Sequence, residues 1–119
     1  VSLENNGGFA SIRAPYGEYD LSKFEEIEIK DRSKGQAAAL TFDKDYRFYI
    51  PNYRLKLELT NTWKIEKIKL LELNECYLGE PNGNKLTKKI AKAIIRMGFI
   101  VANKKAGSFE LEVAYIKFK

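Results

Sequence analysis

The 119 residues of this chain contain no histidine, and only one cysteine (Cys76), one methionine and one tryptophan. Without histidine, the commonest general base and metal ligand near neutral pH is missing. Ser-His-Asp triads, Cys-His pairs and most zinc sites are excluded with it. A lone thiol cannot close an intrachain disulfide, so no cysteine framework staples the fold. No apolar run approaches the roughly 20 residues that a membrane-spanning helix requires. Internal repeats, low-complexity tracts and linker-like segments are absent as well.

What is present describes a packed domain. The length suits one domain able to bury a core of its own. A hydrophobic content of 45% with 13% aromatics argues against disorder. The net charge of +5 is uneven. Residues 1–60 carry 9 Lys and Arg against 10 Asp and Glu, a net of −1, whereas residues 61–119 carry 12 against 6, a net of +6. Such a basic half can face nucleic acid, anionic lipid or an acidic protein. A lysine-rich solvated surface is the plainer reading, and no nucleic-acid partner is expected.

Strand signals dominate the chain. Tyr53, Leu55, Leu57 and Leu59 alternate with Arg54, Lys56, Glu58 and Thr60, a period of two with one buried face. Phe109, Leu111, Val113 and Tyr115 repeat the pattern against Glu110 and Glu112, as do Ala38, Leu40 and Phe42. Ile27 and Ile29 alternate with glutamates expected on a solvated face. After Trp63 the apolar phase slips between Ile65 and Ile68, where a bulge is expected. Turns are expected at Pro15-Tyr16-Gly17, Ser33-Lys34-Gly35, Pro51-Asn52, Pro81-Asn82-Gly83-Asn84 and Lys105-Ala106-Gly107. Short strands at this spacing predict an all-β sandwich or barrel. One segment differs: Leu86, Ile90, Ala93, Ile94 and Met97 fall at helical spacing, predicting one short helix near Leu86 to Met97, with Thr87 as candidate N-cap and Gly98 as the C′ residue.

Asn5-Asn6-Gly7-Gly8 runs directly into the alternating segment Phe9 to Arg13, so the backbone can turn or bulge at the glycines before a strand begins. Asp20-Leu21-Ser22-Lys23-Phe24 precedes Ile27 and Ile29. Trp63 leads Ile65, Ile68 and Leu70, and Ile94 to Val101 is followed by Gly107 to Val113. In this order the four segments resemble the complex I intermediate-associated protein 30 domain family over nearly the whole chain. The resemblance implies an antiparallel β-sandwich of the galactose-binding-like, jelly-roll type. It also implies a non-enzymatic assembly role, in which a protein partner is held on a sandwich surface. The chain departs from the family at Asp31-Arg32-Ser33-Lys34-Gly35, where a glycine-aspartate-glycine turn is usual, and lacks a proline after the tryptophan strand. The family's opening segment is also missing before Val1. An N-terminal strand is therefore expected to be absent, leaving an edge for another strand or a second copy of the chain.

Four groups of residues are candidates for a site. The carboxylates Glu25, Glu26, Glu28, Asp43 and Asp45 are the available acid–base groups, but a glycosidase needs two flanking one bond, and no cleft signature pairs them. Asp43, Asp45, Asn82 and Asn84 offer oxygen atoms of the kind calcium takes, yet no calcium-loop pattern contains them, and no metal or cofactor is expected. Tyr46, Phe48, Tyr49 and Tyr53 with Arg47 and Arg54 form the one dense aromatic–cationic group. Exposed rings there would stack on a sugar face, the alternative being a carbohydrate-binding module. Tyr53 is read as core, while Tyr46 and Phe48 stay open between core and surface. Asn5 and Asn6 can serve a ligand or simply satisfy loop backbone, and Arg13 can pair with an acidic group of a partner.

Overall fold

Ala38, Leu40 and Phe42 lie on one face of a six-residue strand and are all buried, while Thr41 faces the other way and donates from Oγ1 to the Gly98 carbonyl at 3.2 Å. This period-two division is repeated through the computed structural model, which describes residues 2–5, 9–13, 16–35, 37–47, 49–58, 60–78, 80–102 and 109–119, with side chains described from 16 to 100 and from 110 to 119. The strands are β1 (Ser2–Asn5), β2 (Phe9–Arg13), β3 (Glu26–Lys34), β4 (Ala38–Asp43), β5 (Asn52–Leu57), β6 (Thr60–Lys69), β7 (Asn74–Tyr77), β8 (Glu80–Lys85), β9 (Arg96–Ala102) and β10 (Phe109–Phe118). They form a four-stranded sheet in the order β1-β10-β3-β6 and a six-stranded sheet in the order β2-β9-β4-β5-β7-β8. Every pairing is antiparallel.

The core fills the space between the sheets. Ile27, Ile29, Leu111 and Val113 face inward from one sheet, and Leu40, Phe42, Tyr53, Leu57 and Phe99 from the other. Phe118 joins the two, its ring 6.4 Å from that of Phe42 in an edge-to-face arrangement and 5.7 Å from that of Phe24. Of the residues expected to face the core, Leu55 is only half-buried, and the side chain of Phe109 lies outside the described residues.

Several expectations from the sequence are corrected. The helix α1 spans only Lys88–Ala91, with Thr87 Oγ1 accepting from the Ile90 amide at 3.2 Å as N-cap. Beyond it the backbone finds other partners. Ile94 and Ile95 carbonyls accept from Tyr19 and Gly17, and the Ile95 amide donates to Asp43, so tertiary hydrogen bonds displace the next helical turn. Arg96, Met97 and Gly98 therefore belong to β9. Pro81 to Asn84 is not a turn but part of β8, an exposed edge strand where a proline costs no ladder bond on its open side. No bulge separates Ile65 from Ile68, since the β3–β6 register runs unbroken from Glu26–Lys69 to Asp31–Lys64 and shifts only beyond it. The apolar phase slip is instead a change of face: Ile65 points outward, 55% exposed, while Ile68 packs on the core.

A bulge does occur in β10, between Val113 and Tyr115. It reverses the alternation, so Tyr115 leaves the core face and donates from its hydroxyl to Glu28 at 2.9 Å. Glu28 is not on an open solvated face either. It is buried beneath Tyr115, Lys119 at 2.8 Å and Lys67 at 3.7 Å, and these contacts hold its carboxyl down to about 2, the Lys119 hydrogen bond contributing most.

Candidate functional site

The alternation that buries Leu40, Phe42 and Tyr53 sends Asp43, Asn52, Arg54 and Ile100 to the outer face of the six-stranded sheet. Over them stands the β4–β5 connection, which contributes Lys44, Asp45, Tyr46, Arg47, Ile50 and Pro51. Tyr16 closes one side and Leu78 another, leaving an open groove of about 240 Å³. Leu78 holds φ at +48°, a left-handed conformation uncommon for a leucine, and is exposed at the tight β7–β8 turn.

The groove wall is fixed by short-range polar bonds. Asp45 Oδ1 accepts from the Arg47 amide and from Arg47 Nε, both at 2.9 Å, and Oδ2 takes Arg47 Nη2 at 2.7 Å. These bonds hold the Asp45 carboxyl well below the usual carboxylate range. Asn52 donates from Nδ2 to Asp43 at 3.3 Å and accepts from Arg54 Nε at 3.3 Å, linking three floor residues in a row. Behind the wall, Lys44 donates to the Tyr53 hydroxyl at 3.2 Å, and that hydroxyl donates to Glu75. Asn82 and Asn84 donate to the other Glu75 oxygen at 2.8 and 3.4 Å. Burial, with Glu75 second, pushes the Tyr53 hydroxyl up, and the Tyr53 bond leads the causes that lower Glu75.

Aromatic rings line the mouth. Tyr46 is 69% exposed, and its ring centroid lies 4.5 Å from that of Tyr16 at an interplanar angle of 52°. The Arg96 guanidinium sits 3.9 Å from the Tyr16 ring centroid, and that of Arg47 sits 5.7 Å from the Tyr49 ring centroid. Chemically the groove offers π-faces, guanidinium donors, and carboxylate and amide acceptors. Its carboxylate with a perturbed titration, Asp45, is held ionised, which suits hydrogen bonding rather than proton donation.

The structure brings together only part of the set predicted from sequence. Tyr46 and Arg47 line the groove, and Tyr49 is exposed on the same connection. Tyr53 is core, fully buried. Asn6 and Phe48 lie outside the described residues, and of Asn5 and Arg13 only the backbone is described: Asn5 pairs with Phe109, and Arg13 with Gly98 beside β4. The four oxygen donors weighed for calcium are engaged separately, Asp43 with Asn52, Asp45 with Arg47, and Asn82 and Asn84 with Glu75. Among the described residues no group of three or more Cys, Asp or Glu is placed to hold a metal ion. Sequence reasoning missed Tyr16, Leu78 and Arg96. Tyr16 sat inside a Pro-Tyr-Gly turn signal, and only its closeness to Tyr46, 30 residues on, would have marked it.

Two antiparallel sheets enclosing one core, with an open polar and aromatic groove outside the larger sheet, define a β-sandwich of the galactose-binding-like kind. The chain belongs to the complex I intermediate-associated protein 30 (CIA30) family, whose sequence profile matches residues 1–113. Among solved structures it is similar to the family 11 carbohydrate-binding module from Clostridium thermocellum in complex with a β-1,3-1,4-mixed-linked tetrasaccharide, at a TM-score of 0.68 and 18% identity over 98% of this chain and 73% of that one. The family 11 module of a cellulosomal cellulase of the same organism gives a TM-score of 0.69 at 16% identity, covering 98% and 72%. At these identities the likeness is one of fold. No curated protein sequence matches the chain significantly.

Proposed function

We propose that the chain is a non-enzymatic binding module that holds a protein partner in the groove outside the six-stranded sheet. One observation carries this reading: exposed Tyr16, Tyr46 and Leu78 surround a floor whose polar groups already bond one another. Exposed aromatic anchors beside arginines are what protein interfaces concentrate at their energetic centres. Membership of a family named for an assembly intermediate agrees with it. Among the described residues the carboxyl group whose titration is raised, Glu66, faces the interior of the other sheet, away from the groove.

The test is to purify the tagged chain with its partners from its own cells, comparing Tyr46→Ala with wild type. Truncating a central tyrosine should reduce the co-purifying partner at least tenfold, about 1.4 kcal/mol. Leu71→Ala, an exposed site outside the groove lining, should leave it unchanged. An identical partner set in the Tyr46 variant would contradict the reading.

Glycan binding is a second reading, favoured by the tilted Tyr16–Tyr46 pair above amide, carboxylate and guanidinium groups that can bond hydroxyls. A β-1,3-1,4-mixed-linked tetrasaccharide titrated into the isotope-labelled domain separates the two. Saturable shifts at Tyr16, Tyr46 and Asn52 support the glycan, and flat spectra to millimolar concentrations exclude it.

A further inference from the structure

β6 is the outer strand of the four-stranded sheet and, among the described residues, the longest edge strand, ten residues from Thr60 to Lys69. Among the described residues no strand pairs with its far side, so a row of backbone N–H and C=O groups faces outward. Natural edges are usually short or capped with charge along their whole length. This one is divided. Trp63 and Ile65 point outward, 41% and 55% exposed, and Lys67 and Lys69 continue the same row.

The surroundings are cationic. On the neighbouring strand β3, Lys30 lies opposite Ile65, with its amine 5.9 Å from the Trp63 ring centroid, and Arg32 covers the same ring at 5.0 Å. Glu112 satisfies Arg32, and Glu28 is shared by Lys119, Lys67 and Tyr115. Lys69 has no ion-pair partner among the described residues, and the adjacent Glu26 makes none. An edge with an apolar half and a positively charged half is therefore open to one more strand.

We infer that β6 is a strand-addition site for an extended, acidic segment of a protein partner. Running antiparallel, that segment would present two acidic side chains at alternate positions to Lys69 and Lys67, then two apolar ones to Ile65 and Trp63. Backbone hydrogen bonds give such additions their affinity, and the alternate side chains give selectivity. A second copy of this chain is disfavoured as occupant, because each β6 carries Lys64, Lys67 and Lys69 against one Glu66, and two edges of the same net positive charge repel. The inference rests on the reading of the chain as a partner-holding module, but concerns a surface apart from the groove.

The test uses a synthetic peptide with the pattern Glu-Thr-Glu-Thr-Ile-Thr-Val, titrated into the isotope-labelled full chain. Amide shifts should be confined to 60–69 and the facing side of β3. Replacing the two glutamates by lysines, or methylating alternate peptide amides, should weaken binding at least tenfold. K67E/K69E should weaken it to the same degree while the unliganded spectrum keeps its strand dispersion. Equal binding of the lysine peptide, or shifts at Tyr16 and Tyr46 in place of β6, would overturn the proposal, the second outcome leaving the groove reading intact. Concentration-dependent dimers abolished by Ile65→Lys, or binding to phosphatidylserine vesicles with none to the peptide, would overturn it in favour of those occupants.

Discussion

Asp31 and Glu66 are the residues least at ease in this fold. Asp31 is fully buried on the inward face of β3, paired through Oδ2 with Lys64 at 3.1 Å, and its Oδ1 has no partner. Glu66 Oε1 accepts from the Glu58 amide at 3.4 Å, while its buried Oε2 is likewise unpartnered. Burial, with Asp31 second, raises the Glu66 carboxyl above its ordinary 4.5. A raised carboxyl favours the fold while protonated, and that contribution is lost as pH climbs through 4.5 toward the raised value. Glu66→Gln places an amide donor beside the Asp31 carboxylate, which acts on Glu66, and removes one charge. The variant should be more stable than wild type by about 1 kcal/mol at pH 7, the low end of what an unsatisfied buried polar atom costs. Below pH 4.5 the advantage should vanish. Urea unfolding at pH 4 and pH 7 checks both halves, and equal stability at both would contradict the account.

Elements differ in how openly the sequence declared them. β4, β5 and the first half of β10 were legible because each alternates cleanly against a single core. β8 was not, because an exposed edge strand buries nothing and Glu80 to Lys85 has no pattern to read. The helix was overextended, since Ile94 and Met97 fit helical spacing although Tyr19 and Asp43 capture the backbone after Ala93. In the site, the Tyr46–Arg47 cluster could be found by composition, whereas Tyr16 and Arg96 join it only through contacts between distant segments. Glu28 shows the same limit: it reads as one more solvated glutamate, yet it binds the outer face of three strands together through Tyr115, Lys119 and Lys67. Its carboxyl is lowered to about 2 from an ordinary 4.5, so its contribution is complete above 4.5 and lost as pH falls toward 2. Glu28→Gln should therefore melt below wild type at pH 6, with the gap closing between pH 4.5 and 2. A gap that persists unchanged at pH 2 would mean that the carboxylate's charge is not what holds these strands.

At the scale of the whole molecule, the two sheets divide the work. Their inner faces supply one continuous core, which lets the outer faces carry exposed aromatics without losing the fold. The larger sheet presents the groove, and the smaller presents the β6 edge on the other side. The described basic residues of 61–119 lie mostly on or beside β6, β8, α1 and β10, with Arg96 of β9 at the groove mouth, and within the groove Asp43 and Asp45 partly offset Lys44, Arg47 and Arg54. A binding module with a mixed-charge aromatic groove thus agrees better with this surface than one that tracks a polyanion. The central claim is that the groove is where a protein partner is held, and hydrogen exchange on the chain in its native complex, compared with the free chain, tests it most directly. Slowed exchange at 43–54 and at Tyr16 is the predicted result. Unchanged exchange across those residues, in a complex that is demonstrably intact, would contradict it.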